Sequence, residues 1–265
     1  MNFILIKFGG NAMISDKIKQ NFCYQIKSLK DSNYKIIIVH GGGPFIQSIL
    51  DEVGLESKFI NGHRFTGEKS LKYIEMALSG EVNGDLVRSL NNEDCCAVGL
   101  SGKDAKFVKS IIRKDMLDGV EVNVGRVGDV IQVDNKLINT LLDNGFTPVI
   151  SPIATAIDGK DLNINADMFA GHLAGSLGVD SYVVLTDVDG LYSNFKDKGS
   201  LIKNINIKEL DKYNDAIVGG MIPKIDSIKI ALKKGAKSAQ ILNGSKENRI
   251  LDYLNNSSDI GSNFN

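Results

Sequence analysis

Residues 35–46 read KIIIVHGGGPFI and combine an apolar run, three glycines and a proline. The β-branched residues at 36–39 predict a buried strand. Pro44 suits the first position of a helix, where its missing N–H costs no hydrogen bond. The glycines between strand and helix let the backbone approach a ligand, and the free N–H groups there form an anion site. A tight turn without a ligand is the alternative, and three consecutive glycines favour the anion site.

The same order of strand and helix continues along the chain. Strands are predicted at 2–8, 35–39, 95–100, 147–151, 181–186 and 238–242, and hairpins within 106–133 and 153–162. Helices are predicted near 15–30, 44–54, 68–92, 135–144, 165–178, 207–213, 221–234 and 246–255. Apolar strands separated by helices indicate an α/β fold with a mainly parallel sheet covered on both faces.

Composition excludes several functional classes. The 265 residues are 43% hydrophobic and 24% charged, with a net charge of −1. This balance gives no general attraction to nucleic acid or an anionic membrane, so we expect no partner of either kind. The three cysteines lack the spacing of a zinc site and do not suit disulfides, which favours a cytoplasmic protein. We expect Cys95 and Cys96 to be buried in a strand and the Asn-rich end of the chain to be frayed.

Two lysines lie beside glycine pairs. Lys7 ends the first predicted strand immediately before Gly9 and Gly10, and Lys224 follows Gly219-Gly220 at a helix start. Each has an ordinary alternative, since Lys7 could extend to solvent and Lys224 could be a surface residue. Local grounds favour the surface position for Lys224, although a cation near a helix N-terminus is electrostatically unfavourable, which suggests an anionic partner.

Two polar segments also follow predicted strands. Alternation in the segment 162–167 directs Asn163, Asn165 and Asp167 to one side, although Asn165 or Asp167 could simply cap the next helix. The segment LTDVDGLY at 185–192 fits a solvated turn, a metal loop or a nucleotide contact. Neither G-x-x-x-x-G-K-[ST] nor G-x-G-x-x-G occurs at a strand-to-helix junction, which argues against a P-loop enzyme or a Rossmann dehydrogenase.

Taken in order, these motifs resemble the amino acid kinase family. The motifs are KFGG at 7–10, HGGGP at 40–44, NGHRFT at 61–66, NINAD at 163–167, TDVDG at 186–190, GGMIPK at 219–224 and DIGS at 259–262. The resemblance covers essentially the whole chain and is strongest to the branch that phosphorylates the γ-carboxylate of N-acetyl-L-glutamate with ATP and Mg²⁺. It implies one domain, 1–265, folded as a three-layer αβα sandwich. Residues 1–170 would bind the acyl amino acid and form a homodimer, and residues 171–265 would bind the nucleotide.

The resemblance also implies roles for individual residues. Lys7 and Lys224 would stabilise the charge of the transferring phosphoryl group, and Asp167 would orient both lysines. The substrate-binding residues would be Gly42, Gly43, Arg64 and Asn163, with Arg64 on the α-carboxylate. The nucleotide contacts would be Gly9, Gly10, Thr186, Asp187, Val188, Asp189, Gly190, Leu191, Ala216, Ile217 and Val218. No side chain is assigned as a metal ligand, and His63 and Phe65 stand where the family often has smaller or aliphatic residues.

The proposed chemistry needs no general base, because a carboxylate is already nucleophilic at neutral pH. Catalysis then depends on positioning and on electrostatic stabilisation. Two alternatives stay open: a carrier-protein-linked aminoadipate or glutamate kinase of the same family, and a non-catalytic nucleotide or amino-acid sensor on the same fold. The first would be expected to have a basic surface around its substrate entrance.

The resemblance also bears on assembly. It implies a dimer that uses helix 68–92 as its interface. In arginine-inhibited members of the family an additional N-terminal helix links dimers into a hexamer. Since Lys7 is only six residues from the first residue, we expect an arginine-insensitive dimer. Nothing in the sequence supports a nitrogen-sensing regulatory partner.

Overall fold

The computed structural model describes residues 2–9, 13–117, 119–255 and 260–265. Its strands are β1 Phe3–Phe8, β2 Lys35–His40, β3 Phe59–Ile60, β4 His63–Arg64, β5 Ala97–Ser101, β6 Val108–Ile112, β7 Asp115–Leu117, β8 Val120–Val122, β9 Val127–Val133, β10 Thr147–Ser151, β11 Ile153–Ala156, β12 Asp161–Ile164, β13 Ser181–Thr186, β14 Asn204–Ile205, β15 Ala239–Asn243 and β16 Ser262–Phe264. Its α-helices are α1 Asp16–Asp31, α2 Gly43–Glu52, α3 Glu68–Glu75, α4 Asn83–Asn91, α5 Lys136–Asp143, α6 Ala166–Leu177, α7 Met221–Lys234 and α8 Arg249–Leu254.

A central sheet holds eight of the described strands, in the order β14-β16-β15-β13-β1-β2-β10-β5. All neighbours in it are parallel except β15 and β16. The ends of β1, β2, β10 and β13 therefore meet at one edge of the sheet, where open parallel sheets bind ligands.

Helices cover both faces of this sheet because alternate side chains of each strand point to opposite sides. On one face, Leu5 of β1 packs with Phe169 of α6 and Ile228 of α7. On the other face, Ile6 of β1 packs with Ile26 of α1. The predicted three-layer αβα arrangement is confirmed.

Two further features of the fold lie near the edge of the central sheet. Strands β6, β9, β12 and β11 close into a small barrel, which contains the predicted hairpins. A π-helical segment, Met76–Val82, joins α3 to α4, so the predicted helix 68–92 runs from Glu68 to Asn91. Single π-helical segments inside helices are frequent at functional sites, and this one lies against the glycine turn that precedes α2.

Several local predictions were wrong. Cys95 is buried, but Cys96 is exposed with a φ of 48° and lies before β5. The predicted helix at 246–255 begins at Arg249, since Asn248 has left-handed backbone angles. Residues 207–216 form a 3₁₀ rather than an α-helix. The end of the chain is not frayed: Phe264 in β16 is 1% exposed and packs in the core, which fixes that strand, whereas residues 256–259 lie outside the described residues.

Candidate active site

Three charged side chains meet at the edge of the central sheet. Lys7 lies one residue before the end of β1, Asp167 is in the first turn of α6, and Lys224 is in the first turn of α7. The Nζ of Lys7 is 2.9 Å from Oδ1 of Asp167, and the Nζ of Lys224 is 3.5 Å from Oδ2. The side chains of Lys7 and Asp167 are each 8% exposed and that of Lys224 is 15% exposed. The structure therefore brings together the three predicted catalytic residues.

The electrostatics of this group follow from burial and from the charges. Burial alone would raise the pKa of the Asp167 carboxyl, but Lys7 and Lys224 outweigh it and hold that pKa below its usual value. Burial lowers the pKa of the Lys224 ammonium, and Asp167 opposes that effect. One carboxylate thus supports two ammonium groups, which leaves an excess of positive charge facing the ligand edge.

The start of α6 sets the position of Asp167. The side chain of Asn165 accepts hydrogen bonds from the backbone N–H groups of Asp167 and Met168, at 2.9 and 3.2 Å. Asn165 is therefore the N-cap of α6, which is the simpler of the two roles that the sequence allowed for it. Asn163, two residues earlier, donates from Nδ2 to Oγ1 of Thr66 at 3.2 Å.

A first cavity, of about 290 Å³, lies between the barrel and the glycine turn. Lys7, Gly42, Gly43, Asn163 and Asp167 all line it, as do Arg64 and His63. Its lining residues all belong to the first 167 positions of the chain.

Arg64 enters this cavity from β4. Its Nη1 donates to Oε1 of Gln47 at 2.9 Å and to Oγ of Ser57, and its Nη2 donates to the carbonyl oxygen of Gly43 at 3.3 Å. Its guanidinium lies 4.7 Å from the centre of the Phe59 ring. Within the described part of the chain it forms no ion pair, and the Nε–H and one Nη2–H have no acceptor. Those two donors form one side of the guanidinium fork, which matches a carboxylate.

The two unusual residues of the NGHRFT motif lie in different places. His63 is half-buried in the wall of the first cavity, and burial, together with Arg113, lowers the pKa of its imidazole. Phe65 does not line that cavity; it borders a separate surface cavity with Arg126. Of these two residues, only His63 thus lines the first cavity.

A second cavity, of about 520 Å³, lies on the other side of Lys224. Of the predicted nucleotide contacts it is lined by Thr186, Asp187, Val188, Gly190, Leu191, Ala216 and Val218. All of its lining residues follow position 185. The two cavities meet at the charged group, since Lys7 and Asp167 line the first and Lys224 lines the second.

Four predicted nucleotide contacts are not among the lining residues. Asp189 is bound by Nζ of Lys246 at 2.7 Å and by Nδ2 of Asn243 and the Tyr192 hydroxyl at 3.1 Å, so its carboxylate is already paired within the protein. Ile217 does not line the cavity either. Gly9 lies beside Lys7, where an added Cβ would be 2.9 Å from Nζ, and Gly10 lies outside the described residues.

One wall of the second cavity was not predicted from the sequence. Tyr192 and Phe195 line it, with ring centres 6.1 Å apart in an edge-to-face arrangement. The Nζ of Lys198 lies 4.4 Å from the centre of the Phe195 ring, and Lys198 is not a lining residue. Phe195 is nevertheless 63% exposed, so its ring is available to a flat ligand. The available signal was two aromatic residues within five positions after the TDVDG motif.

Within the part of the chain that the structure describes, no group of three or more His, Cys, Asp or Glu side chains could hold a metal ion. Among the described residues, no helix is both long and apolar enough to span a bilayer.

Comparison with known proteins places this site in a family. A model described as the amino acid kinase family matches residues 2–243. The chain belongs to the amino acid kinase family. This confirms the resemblance drawn from the ordered motifs.

Relatives within the family extend the match. The chain is 39% identical over 248 residues to an acetylglutamate kinase of Frankia alni, covering 94% of this chain and 72% of that protein. It is 39% identical over 264 residues to an acetylglutamate kinase of Archaeoglobus fulgidus, covering 97% and 91%. Among solved structures it is similar to smu.665 from Streptococcus mutans UA159, with 29% identity, a TM-score of 0.76 and coverage of 91% of this chain and 94% of that one.

Proposed function

We propose that this enzyme transfers the γ-phosphoryl group of ATP to the γ-carboxylate of N-acetyl-L-glutamate, in arginine biosynthesis. The observation that carries the proposal is the buried Lys7–Asp167–Lys224 group at the junction of two cavities. The many relatives named acetylglutamate kinase support this choice of substrate. The first cavity would hold the acyl amino acid and the second the nucleotide, in line with lobes of about 1–170 and 171–265.

The residues divide the work of positioning and charge stabilisation. The unpaired side of the Arg64 fork would bind the α-carboxylate of the substrate, and Asn163 would anchor its polar atoms. The substrate γ-carboxylate would then face the γ-phosphorus of ATP. As the γ-phosphoryl group leaves ADP, Lys224 would stabilise the negative charge that develops on the ADP phosphates. Lys7 and the N–H groups of Gly42 and Gly43 would stabilise the negative charge near the acceptor carboxylate. Asp167 would hold the ammonium groups of both lysines at the junction.

ATP would bring Mg²⁺ with it. The ion commonly binds to phosphates together with one or two carboxylates, and the described residues offer no preformed cluster, so the nucleotide phosphates would supply most of its ligands. When bound, Mg²⁺ adds positive charge at the phosphates.

A coupled assay of ADP release tests the proposal. N-acetyl-L-glutamate, free glutamate and N-acetyl-aminoadipate are compared as acceptors, and we expect turnover to be highest with the first. Lys7→Ala should lower kcat by about a hundredfold or more with the fold intact, because it removes one cation from the transition state. Preference for the aminoadipate compound would favour the carrier-linked kinase. No ADP release with any acyl amino acid would favour a sensor.

We also propose a homodimer formed through the helix at 68–91. Met76, Gly80 and Gly84 are spaced by four and lie on its exposed face, and a Cβ on either glycine would contact nothing. An exposed glycine inside a helix costs roughly 0.5–1 kcal/mol relative to alanine. Close approach of a second copy would account for both glycines. Light scattering should give twice the mass of the chain, and a monomer or a hexamer would contradict the proposal.

The enzyme is proposed to act in the cytoplasm. Cys23, Cys95 and Cys96 are all free thiols, which is usual for proteins of a reducing compartment.

A further inference from the structure

The side chain of His40 has no role in the mechanism above, yet it is fully buried behind the glycine turn. His40 is the last residue of β2 and is 0% exposed. Its Nδ1 lies 2.7 Å from the carbonyl oxygen of Gly41, and its Nε2 lies 3.0 Å from Nδ2 of Asn83. Asn83 is the first residue of α4 and is 5% exposed.

The hydrogen-bond partners fix where the proton of His40 resides. Nδ2 of Asn83 also lies 3.0 Å from the carbonyl oxygen of Val149. A carbonyl oxygen can only accept, so the amide group of Asn83 that faces Val149 must be its NH₂. The second hydrogen of that NH₂ then points at Nε2 of His40, which must be an acceptor. The ring proton is therefore on Nδ1, where it donates to the carbonyl oxygen of Gly41.

The same geometry keeps His40 neutral. A second ring proton on Nε2 would face the NH₂ of Asn83 and find no acceptor. Burial likewise lowers the pKa of His40 to about 4. The ring therefore does not titrate near neutral pH and acts as a fixed hydrogen-bond donor.

This donor orients a peptide group of the active site. In a trans peptide the C=O and N–H bonds point in opposite directions. Because the Gly41 carbonyl points at His40 in the protein interior, the Gly42 N–H points away from it, toward the first cavity, which Gly41 and Gly42 line. Within the described residues this N–H has no hydrogen-bond acceptor, so it is available to a ligand.

The helix at 68–91 supports the turn at a second point. A Cβ on Gly42 would lie 2.5 Å from Cδ2 of Leu78, in the π-helical segment. Leu78, which also lines the first cavity, thus lies close against the turn, while Asn83 holds His40 about one helical turn further on. The peptide between Gly41 and Gly42 is fixed by packing on one side and by a hydrogen-bonded chain on the other.

We propose that His40, held in one tautomer by Asn83, is a positioning residue that directs the Gly42 N–H at the transferring phosphoryl group. The inference rests on the proposed kinase function. A preorganised donor stabilises developing charge without reorganising during the reaction, which is why its direction affects the rate more than substrate binding.

The test compares His40→Leu, His40→Asn and the control His172→Leu, whose histidine lies in α6 and lines neither cavity. Removing one such donor outright costs about 10²–10³ in kcat, so a misdirected donor should cost roughly tenfold to a hundredfold in His40→Leu. The KM for N-acetyl-L-glutamate should change by less than about threefold, since Arg64 is untouched. His40→Asn should recover several-fold in kcat because its Nδ2 can donate near the position of Nδ1. The control His172→Leu should leave both kcat and the KM for N-acetyl-L-glutamate close to their wild-type values.

A second measurement does not depend on the variants folding. Nitrogen NMR of the histidine rings in the wild-type protein should show His40 with a protonated Nδ1 and an unprotonated Nε2 between pH 6 and 8. A proton on Nε2 would overturn the inference, as would a folded His40→Leu variant with wild-type kcat or an equal loss in His40→Asn and His40→Leu. If the wild-type protein released no ADP, the proposed function would fail while the NMR result would still stand.

Discussion

Asp167→Asn is the substitution that most directly tests how the charged group works. Asparagine has nearly the same shape as aspartate, so it leaves the packing at the start of α6 in place and removes only the negative charge. Lys7 and Lys224 then lie close together with no anion between them. The expected result is a large loss of kcat whose size depends on pH.

The magnitude follows from the two distances. At an effective dielectric constant of about 20, charges separated by 2.9 and 3.5 Å attract by about 5 kcal/mol each. A hundredfold change in rate needs only about 2.7 kcal/mol, roughly half of one such attraction. We therefore expect kcat to fall by at least a hundredfold at pH 8.

The pH dependence distinguishes this mechanism from simple damage to the site. Burial already lowers the pKa of Lys224, and Asp167 is the largest influence opposing that shift. Without the carboxylate the pKa of Lys224 falls further, so at high pH a larger share of Lys224 is deprotonated in the variant than in the wild type. The variant should therefore recover part of its kcat as the pH falls from 9 to 6, relative to the wild type.

The measurement is kcat by coupled ADP release from pH 6 to 9, with circular dichroism to confirm folding. Asp143→Asn is the matched control, because Asp143 pairs with Lys35 at 2.7 Å but is 65% exposed. The control should behave as the wild type. The reasoning would be refuted by an Asp167→Asn variant with kcat within threefold of the wild type, or with a profile of the same shape.

Three further predictions concern the two cavities and the buried histidines. Arg64→Lys should raise the KM for N-acetyl-L-glutamate by about tenfold, because a lysine cannot form the two-point contact with a carboxylate. An unchanged KM in steady-state kinetics would exclude Arg64 as the residue that binds the α-carboxylate. Phe195→Ala should raise the KM for ATP by about tenfold through lost stacking on the base, whereas the exposed but remote Phe146→Ala should not; equal KM values would remove Phe195 from the nucleotide site. Urea unfolding should show that the free energy of unfolding falls as the pH drops from about 6.5 toward 4. Burial lowers the pKa values of His40 and His172 to about 4, so the unfolded chain binds more protons than the folded one in that pH range. His40 alone accounts for up to about 3 kcal/mol, and equal stability at pH 7 and pH 5 would contradict the prediction.

Local patterns in the sequence predicted six of the eight strands of the central sheet, all except β14 and β16. The run at 35–40 became β2, Pro44 lies in the first turn of α2, and Asn165 caps α6. Each of these depends on residues within a few positions, where β-branched side chains, a fixed proline φ and a capping oxygen act directly on the backbone. The end of the chain was predicted wrongly because nothing nearby shows that Phe264 enters the core; its partners in the core are distant in sequence.

The candidate site likewise combines residues that the sequence predicted with an arrangement that only the fold determines. Lys7, Asp167 and Lys224 each lie beside a glycine or strand signal that can be read locally, and the resemblance to the amino acid kinase family implied their roles. Their separations of 2.9 and 3.5 Å exist only because β1, α6 and α7 meet at one edge of the parallel sheet.

Tertiary structure alone decided which side chain lines a cavity and which is paired within the protein. Asp187 and Asp189 look equivalent in the TDVDG motif, but Asp187 lines the second cavity while Asp189 binds Lys246 and Asn243. His40 could be recognised only as part of a glycine-rich motif, whereas its bond to Asn83 joins residues 43 positions apart. Composition and spacing determined which chemical groups are present. Long-range packing determined their directions, because a charge or donor acts on a substrate only when the surrounding fold holds it in place.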